Sequence, residues 1–306
     1  MSQPVSPSGT SWTIRSGTCS ATVVSVGGGL REFLYDGVAA LLGYGEAEMC
    51  HGGIGQLLIP WPNRIADGRY TFEGAERQLP LSEPARHNAS HGLVRWVEWQ
   101  RVDGGPDHVV VAHRLHGQPG YPHQLDLTAR YTVSAEGLAV EVTAVNVGAS
   151  PAPYGFGAHP YLTVGRRLDE CELSFTAGHR LDVDPDRLLP RDLLDVAGSP
   201  YDFSTPRLLG DLTIDYAFTG LAPAADAAGA DRTWTVRLTD PESGRTAALS
   251  SDTPWVQLFT ADPLDRSAFA VEPMTCPPNA FATGTDLITL KPGETHTNHF
   301  TVTADS

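Results

Sequence analysis

The sequence predicts an all-β chain, a large antiparallel β-sandwich with few short helices. Three observations carry this expectation. Short runs alternate apolar and polar residues, turn residues punctuate those runs, and no long segment repeats its apolar residues at the 3.6-residue helical period. The chain has 306 residues, 41% of them hydrophobic, which is enough for a sizeable core. Its 31 glycines and 24 prolines are spread without a period, as many turns between short strands require.

Taken in order, strand-like runs fall at 21–26, 109–115, 125–133, 138–144, 233–239, 255–259 and 296–303. In the fourth, Leu138, Val140, Val142 and Ala144 alternate with Ala139, Glu141 and Thr143, the period of a half-buried strand. Turns are expected at Asp103-Gly104-Gly105-Pro106, Glu136-Gly137, Asp240 to Gly244 and Lys291-Pro292-Gly293. The Ala-rich stretch 222–230 reads as a surface loop between strands. No shift in composition divides the chain, so one domain over residues 1–306 is expected, although a chain of this length could hold two.

The net charge of −15 argues against nucleic acid or an anionic membrane as partner, since both require a basic face. It favours a neutral ligand over a phosphorylated one. Residues 1–13 lack the basic start and apolar core of a secretory signal, and no apolar run reaches membrane-spanning length. Cys19, Cys50, Cys171 and Cys276 lie far apart and form no CxxC pair. Buried free thiols in a cytoplasmic protein are expected.

Four segments differ from ordinary strand or turn sequence. In Pro60-Trp61-Pro62-Asn63-Arg64-Ile65, two prolines stiffen the backbone just before a polar pair. An Arg fork suits hydroxyl and ring-oxygen acceptors, and an aromatic suits the apolar face of a sugar. The plain alternative is a surface Arg beside a buried Trp. In the second segment, His87 and His91 stand four apart, but Gly92 and the lack of helical periodicity argue against a metal-binding helix.

The third segment is Gly155-Phe156-Gly157-Ala158-His159-Pro160-Tyr161. Its glycines allow close backbone approach, and Pro160 pushes His159 towards an extended conformation. His159 is either a general acid or base or a hydrogen-bonded core histidine. In the fourth, Val271-Glu272-Pro273, Glu272 is expected at the end of an apolar strand. Partial removal from water would raise its pKa towards that of a useful base. Asp215 interrupts the apolar run Ile214 to Phe218.

Together and in this order, these segments resemble the aldose 1-epimerase (galactose mutarotase) family. The matching residues are Pro60 to Ile65 with Gly68-Arg69-Tyr70, Asn88 with His91-Gly92, Gly157 to Tyr161, Asp215 with Phe218, and Val271 to Pro273. The resemblance covers most of the chain from Gly27. It implies the galactose mutarotase-like supersandwich, an open cleft, a free aldose such as glucose or galactose as substrate, and no metal or organic cofactor. It also implies Glu272 as general base at the C1 hydroxyl, His159 as general acid at the ring oxygen, and His91 as a second histidine near that oxygen. Arg64 and Asp215 would hold sugar hydroxyls, with Asn63 and Tyr161 as further substrate-binding residues.

The chain departs from the family pattern at Leu189-Pro190-Arg191, at Tyr216 after Asp215, and at Met274 after Glu272-Pro273. These departures bear on which sugar is used and leave the expected base in place. Competing readings are a non-catalytic carbohydrate-binding protein on the same fold, a hexose-6-phosphate epimerase, and a metal-dependent enzyme. The 11 histidines offer the last no HxH on a strand and no HxxxH on a periodic helix.

Overall fold

The computed structural model describes residues 5–222 and 233–305, so most of the expected 222–230 loop lies outside the described residues. Strands dominate, as the alternating pattern required. Among the described residues the only α-helix is the single turn Ala280–Thr283, joined by three 3-10 turns of three residues each.

Two large sheets face each other. The nine-stranded sheet runs, from one edge, Arg207–Leu208, Glu172–Ser174, Trp234–Thr239, Thr246–Ser251, Thr295–Asp305, Gly137–Asn146, Leu125–Ser134, His108–Leu115 and Gln100–Gly104. The ten-stranded sheet runs Ser11–Ser16, Cys19–Val24, Leu30–Tyr35, Val38–Leu41, Tyr161–Leu162, Phe269–Met274, Trp255–Phe259, Asp215–Thr219, His179–Val183 and Pro190–Asp195. Pairing within both is antiparallel throughout. Each strand read from the sequence is present, with ends shifted by one or two residues.

Period-2 alternation explains the layers. Leu125, Leu127, Ala129, Tyr131 and Val133 turn inward, while Thr128, Arg130 and Ser134 face solvent. Phe269, Val271, Val256, Leu258 and Phe218 supply the ten-stranded sheet's share of the core. Strand Phe269–Met274 is buried along its whole length. Its other face carries Ala270, Glu272 and Met274 away from the main core. Ala270 packs with Cys50, Ile54 and Tyr161, and Met274 with Ala217 and Trp255. Glu272 therefore sits between two small apolar clusters.

One local expectation needs correction. Pro273 does not end this strand, which continues to Met274 with Pro273 paired to Val256. The neighbour on the far side is the irregular segment Gly157 to Pro160, where the Ala158 amide donates to the Pro273 carbonyl. No regular ladder there requires the N–H that proline lacks. Trp61 is also not a sugar platform: it is buried in the core against Phe281, at 5.5 Å between ring centroids.

The layer assignment is testable. Phe269→Ala should cost about 3–5 kcal/mol, read as a fall in the urea midpoint, and Thr301→Ala on a solvent face less than about 0.5 kcal/mol. Equal losses at the two positions would contradict it.

Candidate active site

Strand register assembles the centre of the site. Gln257 is the direct cross-strand partner of Glu272, Ala217 of Gln257, and Asp215 of Phe259. Directly opposed residues point to the same face, and so do residues two apart. Glu272, Gln257, Asp215, Phe259 and Tyr161 thus share one face. They line a cleft of about 340 Å³ together with Asn63, Arg64, His91 and His159, within the range of about 300–1,000 Å³ usual for small-molecule sites. All seven site residues expected from the sequence meet here.

His159 reaches the cleft from the segment before Tyr161. Its backbone is fixed on both sides, by its N–H to the Gln56 carbonyl and by the Gly55 N–H to its own carbonyl. The Tyr161 ring stacks on the imidazole with centroids 4.9 Å apart, while the Tyr161 hydroxyl donates to the Gly52 carbonyl at 2.6 Å. On the other side lies Gly53 at φ +77, where a Cβ would come within 2.9 Å of the His159 ring. Gly157 likewise has no room for a side chain, since its Cβ would meet Pro62 at 2.7 Å. His159 is held in a slot with its edge towards Glu272.

His159 Nε2 stands 3.4 Å from Glu272 Oε1. Both residues are buried, and Glu272 Oε2 and His159 Nδ1 have no partner among the described residues. Burial raises the Glu272 carboxyl well above its ordinary 4.5; Asp215 adds to this, while Arg64 and Arg95 oppose it. Burial, reinforced chiefly by the Arg95 charge, lowers His159 from 6.5 to about 3. The resting pair is therefore a carboxylic acid beside a neutral imidazole, holding one proton between them.

His91 is held differently. It and Asn63 both lie at positive φ, +60 and +52, and they clasp each other. The His91 N–H donates to the Asn63 carbonyl, and the Asn63 N–H donates to His91 Nδ1 at 3.3 Å. Nδ1 is thus an acceptor, which leaves the ring proton on Nε2. Burial, Arg95 and His159 hold its pKa well below 6.5, so His91 is a neutral N–H donor. Gly92 is obligatory at φ +71, because a Cβ would strike the Ile59 carbonyl at 2.1 Å.

Arg64 is aimed by a carboxylate that the sequence did not single out. Its Nε and Nη2 donate to the two oxygens of Glu83 at 2.8 and 3.1 Å, a bidentate geometry that fixes the guanidinium plane. Asn88 and Arg86 also donate to Glu83. Burial would raise the Glu83 pKa, but these donors, Arg64 first, hold it below 4.5. Asn63 Oδ1 accepts from the Arg64 backbone N–H at 2.9 Å, so this side chain orients its neighbour.

Gln257 was also missed. Its Nε2 donates to Asp215 Oδ1 at 2.7 Å, and its Oε1 has no partner among the described residues. Asp215 has its pKa raised by burial, against the pull of Arg64. A glutamine in the middle of the apolar run Trp255–Phe259 was the available signal. Arg95 completes the set, exchanging two hydrogen bonds with Gln56 at 2.6 and 3.0 Å and forming no ion pair among the described residues. Among those residues no group of three or more His, Cys, Asp or Glu side chains is placed to hold a metal ion.

The cleft thus gathers a buried carboxyl–imidazole pair, unpartnered polar atoms and fixed hydrogen-bond donors. The aldose 1-epimerase family profile matches residues 10–303, and the chain belongs to that family. It is similar to the uncharacterized protein YihR of Escherichia coli, at 35% identity over 96% of this chain and 93% of that protein. It is also similar to the galactose mutarotase of Rattus norvegicus, at 27% identity over 87% of this chain and 81% of that one. The structure of the GalM/aldose epimerase homologue from C. elegans shares the fold, with a TM-score of 0.83, 20% identity and coverage of 97% and 99%.

The burial of Glu272 predicts how stability depends on pH. A raised folded-state pKa makes a stabilising contribution that is complete below about 4.5 and is lost as pH rises through the folded value. Glu272→Gln removes that penalty. Its melting temperature relative to the native chain should therefore rise as pH increases above about 4.5 and level off once the folded-state value is passed. A difference that stays constant with pH would mean the carboxyl is not desolvated.

Proposed function

We propose that this chain is a mutarotase, interconverting the α and β anomers of a free aldose by acid–base ring opening and closure, with residues 1–306 forming one domain. The observation that carries the reading is the buried Glu272–His159 contact of 3.4 Å in a cleft also lined by Arg64, Asp215 and Gln257, side chains able to hydrogen-bond hydroxyls. A protein that only binds sugar would have no use for a desolvated carboxyl beside a neutral imidazole, since both raise the cost of folding.

The pair holds the single proton that the reaction needs. With the proton on His159, the Glu272 carboxylate takes the proton from the C1 hydroxyl, and His159 delivers its own to the ring oxygen as the C1–O5 bond breaks. Rotation about C1–C2 and closure reverse these transfers on the other face of the carbonyl. Proton transfer across the 3.4 Å contact reaches this charged distribution from the resting one. The Arg64 charge and a substrate hydroxyl on the unpartnered Glu272 Oε2 favour it. Neutral His91 donates from Nε2 to a sugar oxygen, and Arg64, Asp215 and Gln257 hold hydroxyls. Each positioned acid or base contributes about 10²–10⁴-fold.

Glu272→Gln and His159→Asn should each lower kcat by at least about 10²-fold with little change in sugar affinity, measured by polarimetry on freshly dissolved α-glucose or α-galactose. Near-full turnover in Glu272→Gln would place the base elsewhere. Because activity needs one proton on the pair, the kcat/KM profile of the native enzyme should show no acid limb at the ordinary imidazole value of 6.5. That limb should lie towards about 3, where His159 titrates. An acid limb between pH 6 and 7 would refute the neutral-imidazole assignment. Free hexoses should be turned over far better than their 6-phosphates, and prolonged chelation should leave the rate unchanged. A phosphate preference, or loss of activity restored by one metal, would assign a different chemistry.

A further inference from the structure

Arg95 and His159 are joined through one buried glutamine. The Gln56 carbonyl accepts the His159 N–H at 3.0 Å. The Gln56 side chain is clasped to Arg95: its Oε1 accepts from Arg95 Nε at 2.6 Å, and its Nε2 donates to the Arg95 carbonyl at 3.0 Å. The Arg95 backbone is held as well. Gly27, at φ +81, packs so closely on this carbonyl that a Cβ would come within 2.7 Å, and its N–H donates to the Val97 carbonyl at 2.8 Å. The guanidinium lies beside the Trp96 ring, 5.5 Å from its centroid. Arg95, Gln56 and the His159 backbone thus form one hydrogen-bonded unit.

Few charges face the Glu272–His159 pair. Burial raises the pKa values of Tyr161 and of Cys50, the latter to about 11, so both stay neutral, as His91 does. His51 lines the cleft beside Gly52, and Asp215 brings a second carboxyl. The cations are Arg64 and Arg95. Arg64 shares two hydrogen bonds with the Glu83 carboxylate, which offsets much of its field. Arg95 has no ion pair among the described residues, because its partner is an amide. A glutamate at position 56 would have the same shape and would neutralise the guanidinium; glutamine accepts the same N–H and leaves the charge uncompensated. After burial, that charge is the largest influence against protonation of His159 and His91, and it acts on Glu272 in the same direction.

The reaction needs one proton on the pair, since a second would leave no base. The surroundings pull towards a second proton: Asp215 stands close by, and the chain carries a net charge of −15. We propose that Arg95 is a positioning residue for this proton transfer, fixing the His159 backbone through Gln56 and, by its uncompensated charge, keeping the pair in its one-proton state. Arg95 does not line the cleft and so acts through His159 and Glu272. The choice of glutamine at position 56 is part of the device. The inference rests on the mutarotase reading.

The pH profile of kcat/KM for the full chain on free aldoses tests this. Loss of a nearby cation raises the proton affinity of both members, so Arg95→Gln should move the acid and basic limbs together to higher pH, by about one unit. Arg95→Lys keeps the charge and should return both limbs to their native positions. Gln56→Glu pairs the cation and should displace the limbs as Arg95→Gln does. Gln56→Met breaks the hydrogen bonds but leaves the charge, and should lower the plateau with the limbs in place. Titration of the His159 ring by NMR, assigned by its loss in His159→Asn, should show the same upward shift without requiring turnover. Limbs and ring titration unchanged in Arg95→Gln, or displaced equally by Arg95→Lys, would overturn the role of Arg95 and leave the mutarotase reading standing. Should Arg95→Gln fail to fold, Gln56→Glu decides by the same criterion. Absence of turnover with every sugar would remove both.

Discussion

The structure around the cleft is organised by the removal of Glu272 from water. The residue lies on the face of the ten-stranded sheet opposite the main core, where a carboxylate would ordinarily be solvated. Two small apolar clusters flank it along its own strand, one around Ala270 and Tyr161 and the other around Met274 and Trp255. A charge in such a place is costly unless paired or neutralised. Among the described residues no Arg or Lys is in direct contact, and burial instead favours the proton on the carboxyl over one on His159. The fold thereby supplies two groups whose environments push their pKa values in opposite directions, the pattern by which acid and base roles arise at one site.

What surrounds this pair is held from behind. Arg64 is locked by Glu83, Glu83 by Asn88 and Arg86, and Asn88 by Arg187 from a distant hairpin turn. His91 is fixed in one tautomer by a backbone amide, and His159 is wedged between a tyrosine ring and a glycine. Two of these residues, Asn63 and His91, occupy left-handed backbone conformations that the mutual clasp sustains. Strain of this kind persists where surrounding contacts over-determine the geometry. Arg95 contributes at longer range, a guanidinium bound to Gln56 with no carboxylate partner among the described residues, and its charge opposes protonation of both histidines.

Much of the site was legible in the sequence because its residues sit beside unusual punctuation. Pro60 and Pro62 precede Asn63-Arg64, Gly92 follows His91, and Pro160 follows His159. Each marks backbone that cannot be ordinary strand or helix. Pro273 misled for the same reason, since a proline reads as a strand end unless the neighbouring segment is known to be irregular. Glu83 carried no such mark. It lies 19 residues from Arg64 on a short turn, and only the pairing of Arg64–Ala66 with Asn88–Ser90 brings the two together. Gln257 was visible as a polar residue in an apolar strand, but its role depends on standing opposite Glu272.

By itself the sequence determined the all-β architecture, because period-2 burial and turn chemistry are local properties of the chain. Ordered motifs also pointed to the family and to seven of the cleft residues. Tertiary structure alone decided protonation and orientation. Whether Glu272 and His159 are neutral depends on desolvation by residues hundreds of positions apart. Which nitrogen of His91 carries the proton depends on one amide 28 residues away. Burial, register and long-range hydrogen bonds are properties of the folded surface as a whole, and no local window of sequence contains them.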